Sequence, residues 1–481
     1  MQRHKPVLTL LRPDANCLLA ILLLLSFRPA AQPEPESQFK EYRTVGEIIL
    51  EGNAITRSHI LYRELLFRNG DTVLVSDWDR VMEASRKNLL NTSLFNFVTI
   101  TAEAKGKTYT IHIYVIERWY IWPAPIFELS DRNFNAWWES RDYSRINYGF
   151  RVKWGNFRGR MENLDFILRF GKNQHFGIAY YKPYLDKKKR LGAGFEMGYL
   201  GMHEVGYEVQ QDKLRYLYLE EYLLKQRYAT VQVSYRKNIH VSHSLTATFY
   251  ETTFSDTLNR VNADFFYEPD DIRKYITLYY KVKSDYRDAR YYPLSGWYSD
   301  IEAYKAGIGL SFEGPLDILW VKTTSRYYLK LSQRFYAGFS LTGKLTPSSA
   351  PPYFFRRGLG YERDYIRGYE YYVVDGLHYL INRNALKYAL IPQRTSTIDF
   401  ISTPKFSRVH YAAYLNLFAD AGYAWTGSIG RTNDNRLPET LLMGAGIGLD
   451  LVTYYDKVMR IEYSLNKLGE SGIFIHFIAG I

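Results

Sequence analysis

The stretch LNLFADAG, residues 415–422, alternates strictly. Leu415, Leu417, Ala419 and Ala421 fall on one parity, and Asn416, Phe418 and Asp420 on the other. A period of two is the signature of a strand with two unlike faces. The same pattern recurs along the chain. In LDFILRF (164–170), Leu164, Phe166, Leu168 and Phe170 oppose Asp165 and Arg169. In YITLYYKVK (275–283), Ile276, Leu278, Tyr280 and Val282 oppose Thr277, Tyr279, Lys281 and Lys283. In VMRIEYSLN (458–466), Met459, Ile461, Tyr463 and Leu465 oppose Arg460, Glu462 and Ser464. A soluble sandwich also alternates. Here, however, one face is aliphatic or aromatic while the other carries full charges, which fits lipid on one side and a wet lumen on the other. A closed barrel pairs its backbone polar groups without leaving an edge in the membrane.

Working outward, segments of this kind separated by polar or Gly/Pro breaks run from about Trp119 to Ile481, with no long amphipathic helix among them. At roughly 22 residues per strand and connection, this length holds about 16 antiparallel strands. The final segment, SGIFIHFIAGI, alternates through Ile473, Ile475, Phe477 and Ala479, and is expected to close the barrel against its first strand. The expected fold class is therefore mainly β: a transmembrane antiparallel β-barrel over 119–481, preceded by one small α/β domain.

The N-terminus reads as an export signal over 1–31. Arg3, Lys5 and Arg12 precede the apolar run Cys17–Phe27, and small residues follow at Ala30 and Ala31. The run is too short to span a bilayer as a helix. The chain's one cysteine lies inside this segment, so no disulfide is expected after its removal. Aromatic residues make up 17% of the 481, with 44 Tyr, a bias that suits pleated strands. The formal charge is +12. In an exported chain that points to anionic lipid headgroups or a charged lumen rather than to nucleic acid.

A polar linker, 32–42, leads to a compact unit at 43–118. VGEIILEGN reads as a strand stopped by the turn signal Gly52–Asn53. A helix is expected from Thr56 or Ser58 to Gly70. A second is expected over 76–90, where Ser76 and Asp79 have capping-box spacing. Two strands follow, joined at Lys105–Gly106, with Tyr109, Ile111, Ile113 and Val115 alternating in the second. The order β-α-α-β-β lets a sheet pack one face on two helices. His59 and His112 are isolated and carry no expected chemistry.

This first unit resembles a POTRA domain, a periplasmic polypeptide-binding module. The resemblance rests on the element order and on Gly52–Asn53, Thr56, Arg63–Glu64, Gly70–Asp71, SLFNFV and VIER. One copy is present. Downstream, IRGYE (Ile366–Glu370) resembles the Val-Arg-Gly-Phe/Tyr loop of the BamA/TamA superfamily of outer-membrane assembly and translocation barrels, also called bacterial surface antigens. LFADAGYAW (Leu417–Trp425), SDYRDARYYPLSGWY, GAGIGLDL and VMRIEYSLN resemble further family segments in the family's order. The resemblance implies that the loop folds into the lumen and that its arginine, Arg367, pairs with a wall carboxylate, Asp420. Gly368 then serves the tight tip, and Tyr369 packs on the lumen wall. A guanidinium grips a carboxylate through two parallel bonds, which lysine cannot match. The chain departs from the family at Ala385 and Lys387, where Glu and Arg are usual, so a supporting inner-wall ion pair is expected to be missing. It also ends in Ile481 rather than an aromatic residue.

Enzyme readings find little support. No Gly-x-Ser-x-Gly elbow occurs. GAGIG (Gly444–Gly448) lies in an alternating segment, where glycine points to tight strand packing rather than to a nucleotide loop. The ten histidines are scattered without metal spacing, and the acidic run Glu268–Asp271 reads as an exposed loop. No catalytic residue, metal or cofactor is expected. The resemblance implies outer-membrane localisation with the POTRA unit in the periplasm. The implied partners are unfolded outer-membrane or exported polypeptides, outer-membrane lipid, and periplasmic or lipoprotein accessories. The competing reading is a passive channel or structural barrel with a docking POTRA domain.

Overall fold

The computed structural model describes residues 41–129, 146–266, 272–307, 316–348, 351–361, 363–430, 434–453 and 457–477. The export segment 1–31, nearly all of the linker, Glu268–Asp271 and the last four residues lie outside the described residues.

The first unit comprises β1 (Tyr42–Glu51), α1 (Ser58–Glu64), β2 (Thr72–Leu74), α2 (Val75–Asn91), β3 (Phe95–Lys105) and β4 (Thr108–Glu117). Its sheet has the order β2-β1-β4-β3, with β1 and β4 parallel and β3 and β4 antiparallel. Alternation in β4 sends Ile111, Ile113 and Val115 into a core with Ile60, Leu61, Trp78 and Leu89. Gly52 ends β1 at a φ of +85°, and a Cβ there would meet the Val115 carbonyl oxygen at 2.0 Å. The turn therefore requires glycine.

Two local expectations need correction. The first helix stops at Glu64 instead of Gly70, because Leu65 and Phe67 are both buried and their spacing of two demands an extended chain. Side chains of α2 take over the freed backbone groups. Ser85 Oγ accepts from Leu66 N at 3.0 Å, and Asn88 Nδ2 donates to Glu64 O at 3.2 Å. The capping box at Ser76 and Asp79 is not used. Helix α2 begins one residue earlier with no side-chain cap, and Val75 N donates to the Glu41 carbonyl at 3.0 Å. A tertiary backbone partner has replaced a local one.

The remainder builds a sixteen-stranded antiparallel barrel. Its first half comprises β5 (Ile121–Leu129), β6 (Ile146–Phe157), β7 (Glu162–Gly171), β8 (Asn173–Lys182) and β9 (Leu191–Met202). A separate hairpin, β10 (Glu204–Gln210) and β11 (Lys213–Tyr218), interrupts the barrel. The sheet resumes with β12 (Leu224–Arg236), β13 (Val241–Phe254), β14 (Arg273–Asp285), β15 (Gly296–Ala306), β16 (Ile318–Lys330) and β17 (Phe335–Leu345). It continues through β18 (His378–Thr397), β19 (Arg408–Trp425), β20 (Leu442–Thr453), β21 (Lys457–Asn466) and β22 (Ser471–Phe477). Each barrel strand pairs with its neighbour in the sheet order. Strands β5 and β22 stand at the two ends of that order, and among the described residues no ladder joins them.

Side-chain parity sorts the two faces as the alternation requires. On β19, Leu417 is 50% exposed while Asp420 is 3% exposed. On β21, Tyr463 faces out while Arg460 and Glu462 are buried in the lumen. No described helix is long and apolar enough to cross a membrane; the apolar belt is made by strands.

The first unit packs on one end of the barrel. Arg57 N donates to the Gly159 carbonyl in the β6–β7 turn at 2.9 Å. Lys189 Nζ, from the β8–β9 turn, donates to the His59 carbonyl at 3.1 Å. Buried Glu64 receives Arg236 Nη1 and Nη2 at 2.6 and 2.7 Å. Glu117 accepts from Thr56 N at 2.6 Å, and Thr56 Oγ1 also bonds Tyr120 and Asn156. Arg63 and Glu64 thus fasten the domain to the barrel through Tyr184 and Arg236, while Glu117 of the VIER motif braces Thr56, which itself reaches Asn156 of β6.

Candidate functional site

Between β17 and β18 the chain runs through a long loop that enters the barrel from the end opposite the first unit. Leu359 and Val374 exchange backbone hydrogen bonds of 2.9 and 2.8 Å, so the loop narrows to a tip over residues 363–370. At the tip Gly368 adopts a φ of +92°, a conformation that glycine reaches without penalty. The wall it meets is stripped of side chains. A Cβ on Gly444 would lie 1.8 Å from Arg367 O, and one on Gly422 would lie 2.4 Å from Ile366 Cδ1. One glycine of the GAGIG run therefore admits the loop backbone. A Cβ on Gly446 would lie 2.2 Å from Tyr463 O and 2.6 Å from Phe418 Cζ.

Arg367 is brought onto Asp420 by this close approach. Its Nε donates to Asp420 Oδ2 at 2.7 Å and its Nη2 to Oδ1 at 2.6 Å. Nη1 reaches Glu462 Oε1 at 3.3 Å, and Nη2 also donates to the Asn384 carbonyl at 3.2 Å. The guanidinium lies 3.9 Å from the Phe418 ring centroid, a cation–π contact made in a desolvated site. Both partners are almost fully buried, with side chains 3% and 0% exposed. Breaking such a pair leaves an uncompensated charge, at a cost of about 3–5 kcal/mol. Tyr369 is buried with Ile366, Leu359, Val374, Tyr379 and Ile381, and its hydroxyl accepts from Lys467 N at 3.3 Å. The four residues singled out in the sequence, Arg367, Gly368, Tyr369 and Asp420, therefore lie together on the β19–β21 wall.

The inner-wall ion pair expected to be missing is supplied by other strands. Lys387 is buried with its ammonium 4.1 Å from the Tyr292 ring centroid. Tyr292 donates to Asp450 Oδ2 at 2.6 Å, Asp450 accepts from Arg460 Nε at 2.7 Å, and Arg460 lies 3.7 Å from Glu462. The absence of Glu at 385 and Arg at 387 is offset by Asp450 and Arg460, which face each other across β20 and β21.

Two anchors escaped the sequence. Asp364, three residues before Arg367, accepts from Lys322 Nζ at 2.9 Å and from Tyr379 OH at 2.6 Å. The loop tip is therefore held on two walls. Its acidic neighbourhood in the sequence, Glu362 and Asp364, was the available signal. Asp212, at the β10–β11 turn, accepts from Arg436 N and Leu437 N at 3.0 Å, and its carbonyl accepts from Val373 N at 2.9 Å. The hairpin thus clips the lumen loop to the loop between β19 and β20. Gln211 and Asp212 have φ of +53° and +59°, the geometry of a tight hairpin turn, which the sequence Gln-Asp does not advertise.

The family model "POTRA: Surface antigen variable number repeat" matches residues 43–118. No curated protein matches the sequence. BamA from Haemophilus ducreyi lacking POTRA domains 1–3 aligns over 90% of this chain and 83% of its own, with 14% identity and a TM-score of 0.50. CdiB from Escherichia coli aligns over 90% of this chain and 75% of its own, with 12% identity and a TM-score of 0.51. At such low identity the likeness is one of fold. The chain has the BamA- and CdiB-like architecture, with one POTRA domain ahead of a sixteen-stranded barrel. That is the architecture of an outer-membrane barrel with its POTRA domain in the periplasm.

Proposed function

We propose that this chain inserts polypeptides into the outer membrane or translocates them across it, without chemical catalysis. The observation that carries the reading is the joining of a POTRA sheet, whose longer edge strand is β3, to a barrel whose end strands β5 and β22 share no described ladder. An extended client segment can add to a sheet edge through main-chain hydrogen bonds, with side-chain pockets giving selectivity. The barrel ends then offer a lateral path toward lipid. In this reading Arg367 and Asp420 act as a latch that keeps the lumen loop seated while strands move. Clients and outer-membrane lipid are the partners.

Depletion in the source bacterium tests the proposal. Folded outer-membrane or exported proteins should fall in abundance while their unfolded precursors accumulate. Normal assembly and export with altered solute uptake alone would sink it in favour of a passive channel. The loop seated in the lumen by Asp364 and Arg367, and clipped outside by Asp212, weighs against that channel reading.

A further inference from the structure

Beside the latch lies a cluster of three side chains that make no hydrogen bond to one another among the described residues. Glu370 follows the loop tip, Glu462 belongs to β21, and His476 belongs to β22. Three of their atoms, Glu370 Oε1, Glu462 Oε2 and His476 Nε2, are buried and have no hydrogen-bond partner among the described residues. They converge, all lying within 4.8 Å of one another. His476 Nε2 is 3.6 Å from Glu462 Oε2 and 3.8 Å from Glu370 Oε1. Glu462 itself is only 1% exposed.

The remaining oxygens are already engaged. Glu462 Oε1 faces Arg367, and Glu370 Oε2 accepts from Gly368 N at 2.8 Å. The free atoms therefore point at one another because the other side of each carboxylate is occupied. Contacts of 3.6 and 3.8 Å are too long for hydrogen bonds. They lie within ion-pair range, but form ion pairs only if His476 is charged. The spacing suits a bridging cation better. Zinc held by nitrogen and oxygen at about 2.0–2.1 Å places neighbouring tetrahedral ligands about 3.3 Å apart, so the two His476 contacts of 3.6 and 3.8 Å would shorten by about 0.3–0.5 Å and the two carboxylate oxygens, which lie within 4.8 Å of each other, would draw together on the ion.

We propose that Glu370, Glu462 and His476 form a binding site for a first-row divalent cation, with zinc as the best-fitting ion. An imidazole with two carboxylates favours zinc over magnesium or calcium, which prefer all-oxygen shells. Three protein ligands leave a position for water. The ligands come from a loop and two strands and have no motif spacing, so the sequence carries no sign of the site. A bound ion joins the lumen loop to β21 and to the last described strand. It would tie the state of the latch to the strand that stands at the open end of the sheet order. The site does not depend on the transport reading, because it rests on three orphaned atoms alone.

The test uses the exported chain in detergent micelles, free of any histidine tag and stripped with chelator. Titration calorimetry with zinc chloride should give one ion per chain. His476→Ala and Glu370→Gln should each weaken binding at least tenfold, and magnesium chloride should give no binding at this site. Zinc X-ray absorption on the wild-type protein should show a shell of one imidazole nitrogen and carboxylate oxygens at about 2.0 Å. This second measurement holds even if the variants fold poorly. Zinc affinity unchanged by both substitutions, or an absorption spectrum lacking imidazole, would overturn the proposal.

Discussion

Arg367 and Asp420, 53 positions apart in sequence, meet through two parallel hydrogen bonds of 2.7 and 2.6 Å in the barrel lumen. Arg367 sits on a loop and Asp420 on a strand, so the pair fastens a separable element to a wall. Because both side chains are buried, the pair matters less for its net attraction than for the charge left stranded when one partner is lost.

Removing either partner should show this directly. Arg367→Ala and Asp420→Ala should each destabilise the barrel by about 3–5 kcal/mol, since each strands a buried charge. The double variant should cost no more than the worse single one. Arg367→Lys should not restore stability, because lysine cannot make the bidentate grip. Urea unfolding in lipid bilayers measures all four proteins. Additive losses would show that the residues act separately.

The bare wall supplies a second prediction. Gly444→Ala places a methyl group 1.8 Å from the Arg367 carbonyl, so the tip must lift. Overpacking of this kind costs about 1–3 kcal/mol. External protease should cut the 346–377 loop faster in this variant. Gly155→Ala, whose nearest neighbour would be 3.6 Å away, should leave the cutting rate unchanged.

Domain docking rests partly on Glu64 and Arg236. The Glu64 side chain is 2% exposed and that of Arg236 21%. Glu64→Ala should therefore weaken docking by about 3 kcal/mol, the low end for a buried pair because Arg236 keeps some water. Spin labels on α2 and on the β8–β9 turn should report a broader distance distribution. An unchanged distribution would assign docking to the Thr56–Glu117–Tyr120 cluster instead.

The outer clip can be opened at Asp212. Asp212→Ala removes the acceptor for two backbone N–H groups at 436 and 437. The loops over the lumen should loosen, and conductance in planar bilayers should rise above a low wild-type value. A large steady conductance in the wild type would favour the channel reading.

Much of this architecture is visible in the sequence, for physical reasons. A strand between lipid and lumen must alternate, so Leu417 against Asp420 and Tyr463 against Arg460 expose both the strand and its facing. Gly368 is legible because a tight tip needs positive φ. The hidden features depend on partners distant in sequence. The early end of α1 is set by Ser85 and Asn88 on another helix. The start of α2 is set by the Glu41 carbonyl. Asp450 with Arg460 replaces the ion pair that Ala385 and Lys387 cannot form, a substitution across strands that no local pattern reveals. The role of Asp212 depends on loops more than 150 residues away.

The central claim is that polypeptides pass along this molecule, and capture at the POTRA edge tests it most directly. A photo-crosslinking residue placed at Thr101, on the exposed part of edge strand β3, should yield adducts with exported or outer-membrane polypeptides in living cells. The same residue at Arg80, on the outer face of α2, should yield few. Absence of polypeptide adducts at Thr101, or identical adducts at both positions, would contradict the account.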